Sequence, residues 1–161
     1  MSRILAEFRA GRVRRWHTNP WLCHTVDTVA DHGARCKHII KGRYPAASQE
    51  LLHMATIHDF GEYVTGDVGG PTKDAHPELR AMLERIEKEA REAIFGPDPE
   101  LSAIEQRWLK FADRLDPYIW ARHHRAPMDR DGWPAAMCWL YGESCALGVD
   151  AEWTALVKGM E

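Results

Sequence analysis

His58 and Asp59 are neighbours in the sequence, and Glu62 follows them by about one helical turn. Both neighbours could bind one metal ion near a helix end, because imidazole nitrogen and carboxylate oxygen are common ligands of transition metals. Residues three and four positions apart share a helix face, so Glu62 is expected beside the pair, although a solvated helix carboxylate is the simpler alternative. The segment could therefore provide two metal ligands and a carboxylate that handles protons, which is the minimum for metal-assisted hydrolysis.

Two further polar residues stand among apolar neighbours on helix faces that are predicted to point into the core. His32 lies in the first long helix and Asp113 in a later one. A buried carboxylate is costly unless it is paired or bound to metal. Taken singly, His32 could be a hydrogen-bonded core histidine, and Asp113 could pair with Arg114 or Lys110. Taken with the adjacent pair, they favour a site with four metal ligands: His32, His58, Asp59 and Asp113.

Two imidazoles and two carboxylates make a mixed set of nitrogen and oxygen ligands. Such a set suits Zn, Mn, Co or Fe(II), and one or two coordination positions would remain for water. The expected chemistry is hydrolysis by a water that the metal activates.

Basic and aromatic residues elsewhere in the chain could hold a phosphorylated substrate. Arg15 opens an aromatic segment and Lys73 ends a glycine-rich loop, and either could bind phosphate oxygens. Trp16 lies outside any helical pattern, where a nucleobase would give its ring a flat apolar partner. Lys110 lies one turn before the predicted aspartate ligand and could point a charge into the site, with an exposed helix lysine as an equal alternative. Asp67 is either a surface turn residue or a second proton-handling or ion-binding group.

The elements that must position these residues are helices throughout. Apolar residues recur at helical spacing, and no alternating strand pattern of any length occurs. Ser48 is a good N-cap, and the segment 98–100 is expected to open a helix that Pro117 should kink or break near residue 116. The glycine-rich loop 66–73 should lack regular structure. The predicted helices span residues 2–10, 25–41, 48–61, 77–95, 98–116, 134–147 and 151–158.

The composition is that of one ordinary globular domain. The 161 residues are 45% hydrophobic and 28% charged, with a formal net charge of −3, which does not indicate a surface for nucleic acid or membrane. The four cysteines have no C-x-x-C spacing and stand in stretches of helical pattern, so buried free thiols are expected. No apolar run is long enough for a bilayer and no signal pattern is present, so we expect a reduced, cytosolic protein.

The order of the predicted ligands on successive helices resembles the HD-domain metal-dependent phosphohydrolases. A fuller ordered set of motifs resembles their small 5'-deoxynucleotidase branch and, more closely, the short phage dATP triphosphohydrolases. The resemblance covers about residues 12–116. The motifs that carry it are Arg15-Trp16-His17, Asp31-His32, His58-Asp59-x-x-Glu62, Thr65-Gly66-Asp67 and Ala112-Asp113.

The resemblance implies a single HD domain over residues 1–161, folded as a compact bundle of about six to eight helices. It implies one divalent transition metal (Zn, Co or Mn), with additional Mg or Mn accompanying the substrate. The favoured activity is a dATP or dNTP triphosphohydrolase that releases deoxynucleoside and triphosphate. One alternative is a 5'-deoxynucleotidase that acts on deoxynucleoside monophosphates. Another, from a different class, is a non-catalytic module that senses nucleotides.

The resemblance also implies roles for individual residues. Glu62 and Asp67 would be the catalytic residues that handle protons during attack at the phosphorus attached to the 5' oxygen. A base would be enclosed between the aromatic ring of Trp16 and a loop proline. The substrate contacts would be Arg15, Trp16, Pro71, Lys73 and Lys110.

The chain departs from the family pattern at several points. Gly33 follows the first histidine ligand where serine is common, which leaves the ligand intact. The loop 69–71 replaces a more proline-rich loop of the bacterial nucleotidases, which argues against monophosphate specificity. His76 is the only histidine between Asp59 and Asp113, which argues against a dinuclear HD centre. The resembled family also implies a homo-oligomer, either a dimer or a hexamer. The expected location is the cytoplasm, which would be that of a host if the chain is phage-encoded. The expected partner is a small deoxynucleotide, and we expect no binding to nucleic acid polymers or membranes.

Overall fold

The computed structural model describes residues 2–160, and all regular structure in this range is helical. The all-α prediction is confirmed. One isolated antiparallel bridge joins Arg14 and Thr28. Within residues 2–160, none of the helices has the length and apolar composition that crossing a membrane requires. The helices are α1 (Arg3–Ala10), α2 (Val29–Arg43), α3 (Gln49–Ile57), a 3-10 helix (Phe60–Tyr63), α4 (Gly70–Ala75), α5 (Pro77–Phe95), α6 (Ala103–His123), α7 (Trp133–Leu147) and α8 (Asp150–Gly159).

Side chains that accept hydrogen bonds from free backbone N–H groups fix the starts of three helices. Thr28 and Ser48 each accept from the N–H three residues later, at the starts of α2 and α3. Ser102 and Glu105 form a reciprocal capping box at the start of α6. These caps determine where the helices carrying the predicted ligands begin.

The boundaries of α6 differ from the prediction at both ends. The helix begins at Ala103 rather than in the segment 98–100, because Ser102 provides the cap. It also continues through Pro117 to His123 without a break. Pro117 cannot donate to the carbonyl four residues earlier, but the packing of α6 against α2, α3 and α7 outweighs that loss.

Three further segments differ from the prediction. The helix predicted over 48–61 ends at Ile57, and a separate 3-10 helix follows it. The glycine-rich loop 66–73 is not wholly irregular, because Pro71 lies in the first turn of α4, where a missing N–H costs nothing. The second helix begins at Val29 rather than at residue 25, because Thr28 caps it. Val26, which lies within the predicted helix range, is therefore outside the helix and exposed.

The cysteines are all free thiols, as predicted, but only one has the predicted buried position. Cys36 on α2 is buried, whereas Cys23, Cys138 and Cys145 are exposed. Cys23 lies in the irregular segment before α2, and the other two exposed cysteines lie on α7. A helical pattern alone does not determine which of its cysteines face solvent.

The packing of α2 brings the predicted site together. This helix packs against α3 and α6, and α6 in turn packs against α7. The largest apolar cluster spans α2, α3, α6, α7 and α8 and includes the buried side chains of Ile40, Leu51, Phe111 and Leu140. Burial of this cluster holds the first half of α2, the end of α3 and the middle of α6 close together.

Candidate active site

The four predicted metal ligands meet between α2, the end of α3 and α6. His32 Nε2 lies 3.2 Å from Asp113 Oδ1 and 3.5 Å from Asp59 Oδ2. His58 Nε2 lies 3.4 Å from that Asp113 oxygen and 3.6 Å from Asp59 Oδ1. One ligand atom from each residue lies within 4.8 Å of all the others. Atoms about 2.1 Å from a shared metal lie about 3–4 Å apart, so the geometry fits one divalent transition metal.

Both imidazoles are oriented by hydrogen bonds from the ring nitrogen that faces away from the cluster. His32 Nδ1 lies 2.7 Å from Asp116 Oδ2, and His58 Nδ1 lies 3.0 Å from the carbonyl oxygen of Ala55. Each of these acceptors requires a proton on Nδ1, so Nε2 is the nitrogen that faces the cluster and that would give its lone pair to a metal in place of a proton. This is the usual arrangement around a metal-binding histidine.

The cluster also has the charge pattern of a cation site. Burial opposes protonation of His58, but the Asp59 and Asp113 carboxylates outweigh it and raise the His58 pKa to about 9. Burial likewise opposes ionisation of Asp113, but hydrogen bonds from the two histidines hold its pKa well below the usual value. The cluster therefore attracts positive charge, which a divalent cation would supply.

Cys36 is the one thiol near these ligands. Its Sγ lies 3.6 Å from both ring nitrogens of His32, and it could form an alternative group with the two histidines. Burial, with the surrounding carboxylates, raises the pKa of the Cys36 thiol well above its ordinary value. A thiol that stays protonated is a poor ligand, so the set with two carboxylates fits a metal better.

Glu62 lies in the 3-10 helix directly after the His-Asp pair, and it is only 4% exposed. Its Oε2 is buried without a hydrogen-bond partner, and its Oε1 lies 3.6 Å from Lys73 Nζ. Burial, reinforced by the Asp59 and Asp67 charges, raises the pKa of Glu62 to about 10 despite the lysine. Glu62 thus holds a proton in the metal-free protein, which suits the predicted proton-handling role.

Lys73 lies between two carboxylates. Its Nζ is 3.8 Å from Glu87 Oε2 as well as 3.6 Å from Glu62. Glu87 in turn accepts a hydrogen bond of 2.9 Å from Thr65 Oγ1. The structure therefore places Lys73 beside Glu62, which is where a phosphate-binding lysine would be needed. The carboxylates of Glu62 and Glu87, however, largely neutralise the charge of Lys73.

The side chain of Arg15 is largely buried, and one of its N–H groups is a free hydrogen-bond donor. Its Nη1 has no hydrogen-bond partner and lies 3.6 Å from both Asp27 Oδ2 and Asp116 Oδ2. Burial disfavours its charge, but the surrounding carboxylates, Asp59 first among them, outweigh it and raise the pKa. An unsatisfied buried N–H is costly, so an anionic oxygen at this position would be stabilising.

Trp16 is held in place by hydrogen bonds at both its backbone and its ring. It has a positive φ of 66°, and its backbone N–H donates to Asp67 Oδ2 at 3.1 Å. Its indole Nε1 donates to Asp27 Oδ2 at 3.0 Å, and the ring centre lies 6.3 Å from that of Trp133. Asp67 therefore contacts the Trp16 backbone, and its predicted proton-handling role stays a prediction.

Two predicted substrate contacts lie at the surface. Pro71 is exposed in the first turn of α4. Lys110 is exposed on α6, with its Nζ 5.8 Å from the ring centre of Trp139. Among the residues that the structure describes, no ion pair joins Lys110 to the four ligands, so the alternative of an exposed helix lysine describes its position better.

Sequence reasoning missed a buried ionic network behind the ligands. Arg35 pairs with both Asp27 and Asp116 beside Arg15, and Asp116 also holds His32. The i+3 spacing of Asp116 from the ligand on α6 could have indicated its role. Asp27 lies in an irregular segment, and no spacing rule indicates its partner.

Arg91 was also missed, and it fixes the backbone of the His-Asp pair. This buried side chain of α5 donates from Nη1 to the carbonyl oxygen of His58 at 2.6 Å and also pairs with Asp98. The carbonyls at a helix end lack partners within the helix, and His58 is the C-cap residue of α3. Its position on an amphipathic helix gave no sign that Arg91 faces inward.

No curated protein matches this chain. The family model described as 5'-deoxynucleotidase YfbR-like matches residues 9–101, which is more than half of the chain. The matched range includes His32, His58, Asp59 and Glu62. The match indicates a metal-dependent phosphohydrolase that acts on deoxynucleotides, and the four-ligand geometry agrees with the metal dependence. The chain belongs to the YfbR-like 5'-deoxynucleotidase family of HD-domain enzymes.

Proposed function

We propose that the protein is a 5'-deoxynucleotidase, which converts deoxynucleoside 5'-monophosphates to deoxynucleoside and phosphate. The observation that carries the proposal is the convergence of four metal ligands with Arg15 and Glu62, in a chain of this family. The sequence motifs favoured the triphosphate as substrate. The family match supports the monophosphate instead.

The charges around the site also favour the smaller substrate. A triphosphate carries more negative charge than a monophosphate and needs more cationic donors to hold it. Lys73 is already engaged by Glu62 and Glu87, and Arg35 by two aspartates. Arg15 Nη1 also lies 3.6 Å from two aspartates, but among the described residues it is a buried donor without a hydrogen-bond partner, and it suits one phosphate group.

The metal that fits this site would be held by the four ligands already named: His32, His58, Asp59 and Asp113. When bound, it supplies Lewis-acid activation of the phosphate and of the attacking water. Arg15 binds a phosphate oxygen and neutralises charge that develops at phosphorus. Glu62 transfers a proton to the 5' oxygen as the bond from phosphorus to that oxygen breaks, while the oxygen of water forms the new bond to phosphorus. The attacking water loses one proton, which restores the proton that Glu62 gave. The products are deoxynucleoside and phosphate.

A substrate panel tests this proposal. Purified protein is incubated with deoxynucleoside monophosphates, their ribose counterparts and dNTPs, each with Co, Mn or Zn, and products are separated by HPLC. We expect phosphate and deoxynucleoside from the monophosphates. Release of triphosphate from dNTPs without hydrolysis of the monophosphates would contradict the proposal and identify the protein as a triphosphohydrolase.

The alternative from a different class is a non-catalytic module that senses nucleotides. Such a module would be expected to lose a metal ligand or the proton-handling residue, and this chain retains all five. Metal binding without turnover of any nucleotide in the panel would favour the module. A homo-oligomeric state and a cytoplasmic location stay predictions, which size-exclusion chromatography and cell fractionation would test.

A further inference from the structure

Arg35 bridges two buried carboxylates that come from different parts of the chain. Its Nη2 lies 2.9 Å from Asp27 Oδ1 and 3.0 Å from Asp116 Oδ2, and its Nε lies 2.6 Å from Asp116 Oδ1. Asp27 precedes α2 and is fully buried, and Asp116 on α6 is 3% exposed. The planar guanidinium therefore ties the start of α2 to the middle of α6.

Each carboxylate holds a different functional group with its second interaction. Asp116 Oδ2 accepts from His32 Nδ1 at 2.7 Å, so it orients a predicted metal ligand. Asp27 Oδ2 accepts from the indole Nε1 of Trp16 at 3.0 Å, on the predicted substrate side. Arg15 Nη1 lies 3.6 Å from both carboxylates. Arg35 is thus linked through Asp116 to the predicted metal ligand His32, which we call the metal side. It is linked through Asp27 to Trp16, which we call the substrate side.

The electrostatics show why an arginine is needed at this position. Two buried carboxylates repel each other and each needs several donors, which a fork of N–H groups can supply in fixed directions. Both oxygens of Asp116 receive donors from two side chains, Oδ2 from His32 and Oδ1 from Arg35. The guanidinium is further fixed against the Trp120 ring, with its Cζ 4.6 Å from the ring centre.

We propose that Arg35 is a positioning residue that sets the His32 imidazole and the Arg15–Trp16 segment in one fixed relation. It touches neither metal nor substrate and acts through the two aspartates. On the substrate side the inference depends on the proposed nucleotidase function, whereas on the metal side it does not. Its consequence is that one substitution weakens metal binding and substrate binding together.

The test compares Arg35→Met, Arg35→Lys and the control Arg43→Met, an exposed arginine on the same helix. Co²⁺ binding to the metal-free proteins is titrated by calorimetry, with the visible bands of Co²⁺ reporting ligand geometry. We expect Arg35→Met to lower Co²⁺ affinity about 10–100-fold, the usual effect of losing support behind a ligand. Arg35→Lys should fall between it and the wild type, because lysine keeps the charge and loses the fork.

The substrate side is read from the KM for deoxynucleoside monophosphates at saturating metal. We expect KM to rise at least fivefold in Arg35→Met, and both KM and Co²⁺ affinity to be unchanged in Arg43→Met. Circular dichroism verifies folding, and Arg35→Lys decides the matter if Arg35→Met does not fold.

Several outcomes would overturn the inference. Co²⁺ affinity within twofold of wild type in folded Arg35→Met would do so, or in Arg35→Lys if Arg35→Met does not fold. An equal loss of affinity in Arg43→Met would also overturn it. Weaker Co²⁺ binding with an unchanged KM in Arg35→Met would show that Arg35 positions His32 but not the Arg15–Trp16 segment, which would overturn the proposal. If the wild type hydrolysed no deoxynucleotide, the proposed function would fail, yet the Co²⁺ titration would still decide whether Arg35 positions His32.

Discussion

Glu62 combines burial, an oxygen without a hydrogen-bond partner and a raised pKa, directly after the metal ligands. Substituting glutamine keeps the size of the side chain and removes its ability to give or take a proton. We expect Glu62→Gln to lower kcat about 10²–10⁴-fold, the usual contribution of a general acid or base. Its Co²⁺ content, measured by elemental analysis, should equal that of the wild type.

The matched comparison for this substitution is His58→Ala, which removes a predicted ligand. That variant should lose both metal and activity, because His58 Nε2 faces the two ligand carboxylates. Full kcat in Glu62→Gln would remove its assigned role. Loss of metal in Glu62→Gln would instead make Glu62 part of the metal site.

At the scale of elements, Gly33 sets how closely α2 approaches α3. A Cβ at position 33 would lie 2.2 Å from the carbonyl oxygen of Thr56, so a side chain there would push the helices apart. We expect Gly33→Ala to lower the free energy of unfolding by about 1–3 kcal/mol, as overpacking does. It should also weaken Co²⁺ binding, because His32 would move away from His58. Urea denaturation and calorimetry measure the two effects.

Gly42 provides the control on the same helix. A Cβ at this position meets no atom within 4 Å, so alanine has room there. We expect Gly42→Ala to raise the free energy of unfolding by up to about 1 kcal/mol through helix propensity alone. Equal behaviour of the two alanine variants would show that the helix contact at Gly33 is not tight.

The capping box of α6 gives the stability of the protein a dependence on pH. Glu105 accepts hydrogen bonds from Ser48, at the start of α3, and from Ser102, and these lower its pKa from 4.5 to about 2. A lowered folded-state pKa stabilises the fold above the unfolded value and loses that effect as pH falls through the folded value. Glu105→Gln should therefore be less stable than wild type above about pH 4.5, with the difference vanishing near pH 2.

Urea unfolding of both proteins between pH 2 and pH 7 measures this difference. Glu84→Gln, an exposed glutamate on α5, is the control for removing one negative charge. A gap between wild type and Glu105→Gln that does not change with pH would mean that the carboxylate charge does not stabilise the cap.

At the scale of the whole molecule, the sequence indicated the metal ligands better than the residues that hold those ligands in place. His32 and Asp113 could be found because a polar residue on an apolar helix face is unusual. The pairing of Arg35 with Asp116 could not, because it joins residues 81 positions apart whose types are common at surfaces. Helices were predicted by their periodicity, whereas the continuation of α6 through Pro117 depends on tertiary packing that no local rule contains.

Metal binding should stabilise the whole bundle, because its ligands come from α2, the end of α3 and α6. An ion that binds the folded chain alone at about 100 times its Kd contributes about 2.7 kcal/mol. For a chain of this size we expect Co²⁺ to raise Tm by about 5–10 °C in scanning calorimetry. Asp113→Ala should abolish the rise, since it removes the α6 ligand, whereas Asp129→Ala, at an exposed position, should retain it. A rise in Asp113→Ala equal to that of wild type would place the stabilising ion outside the four-ligand site.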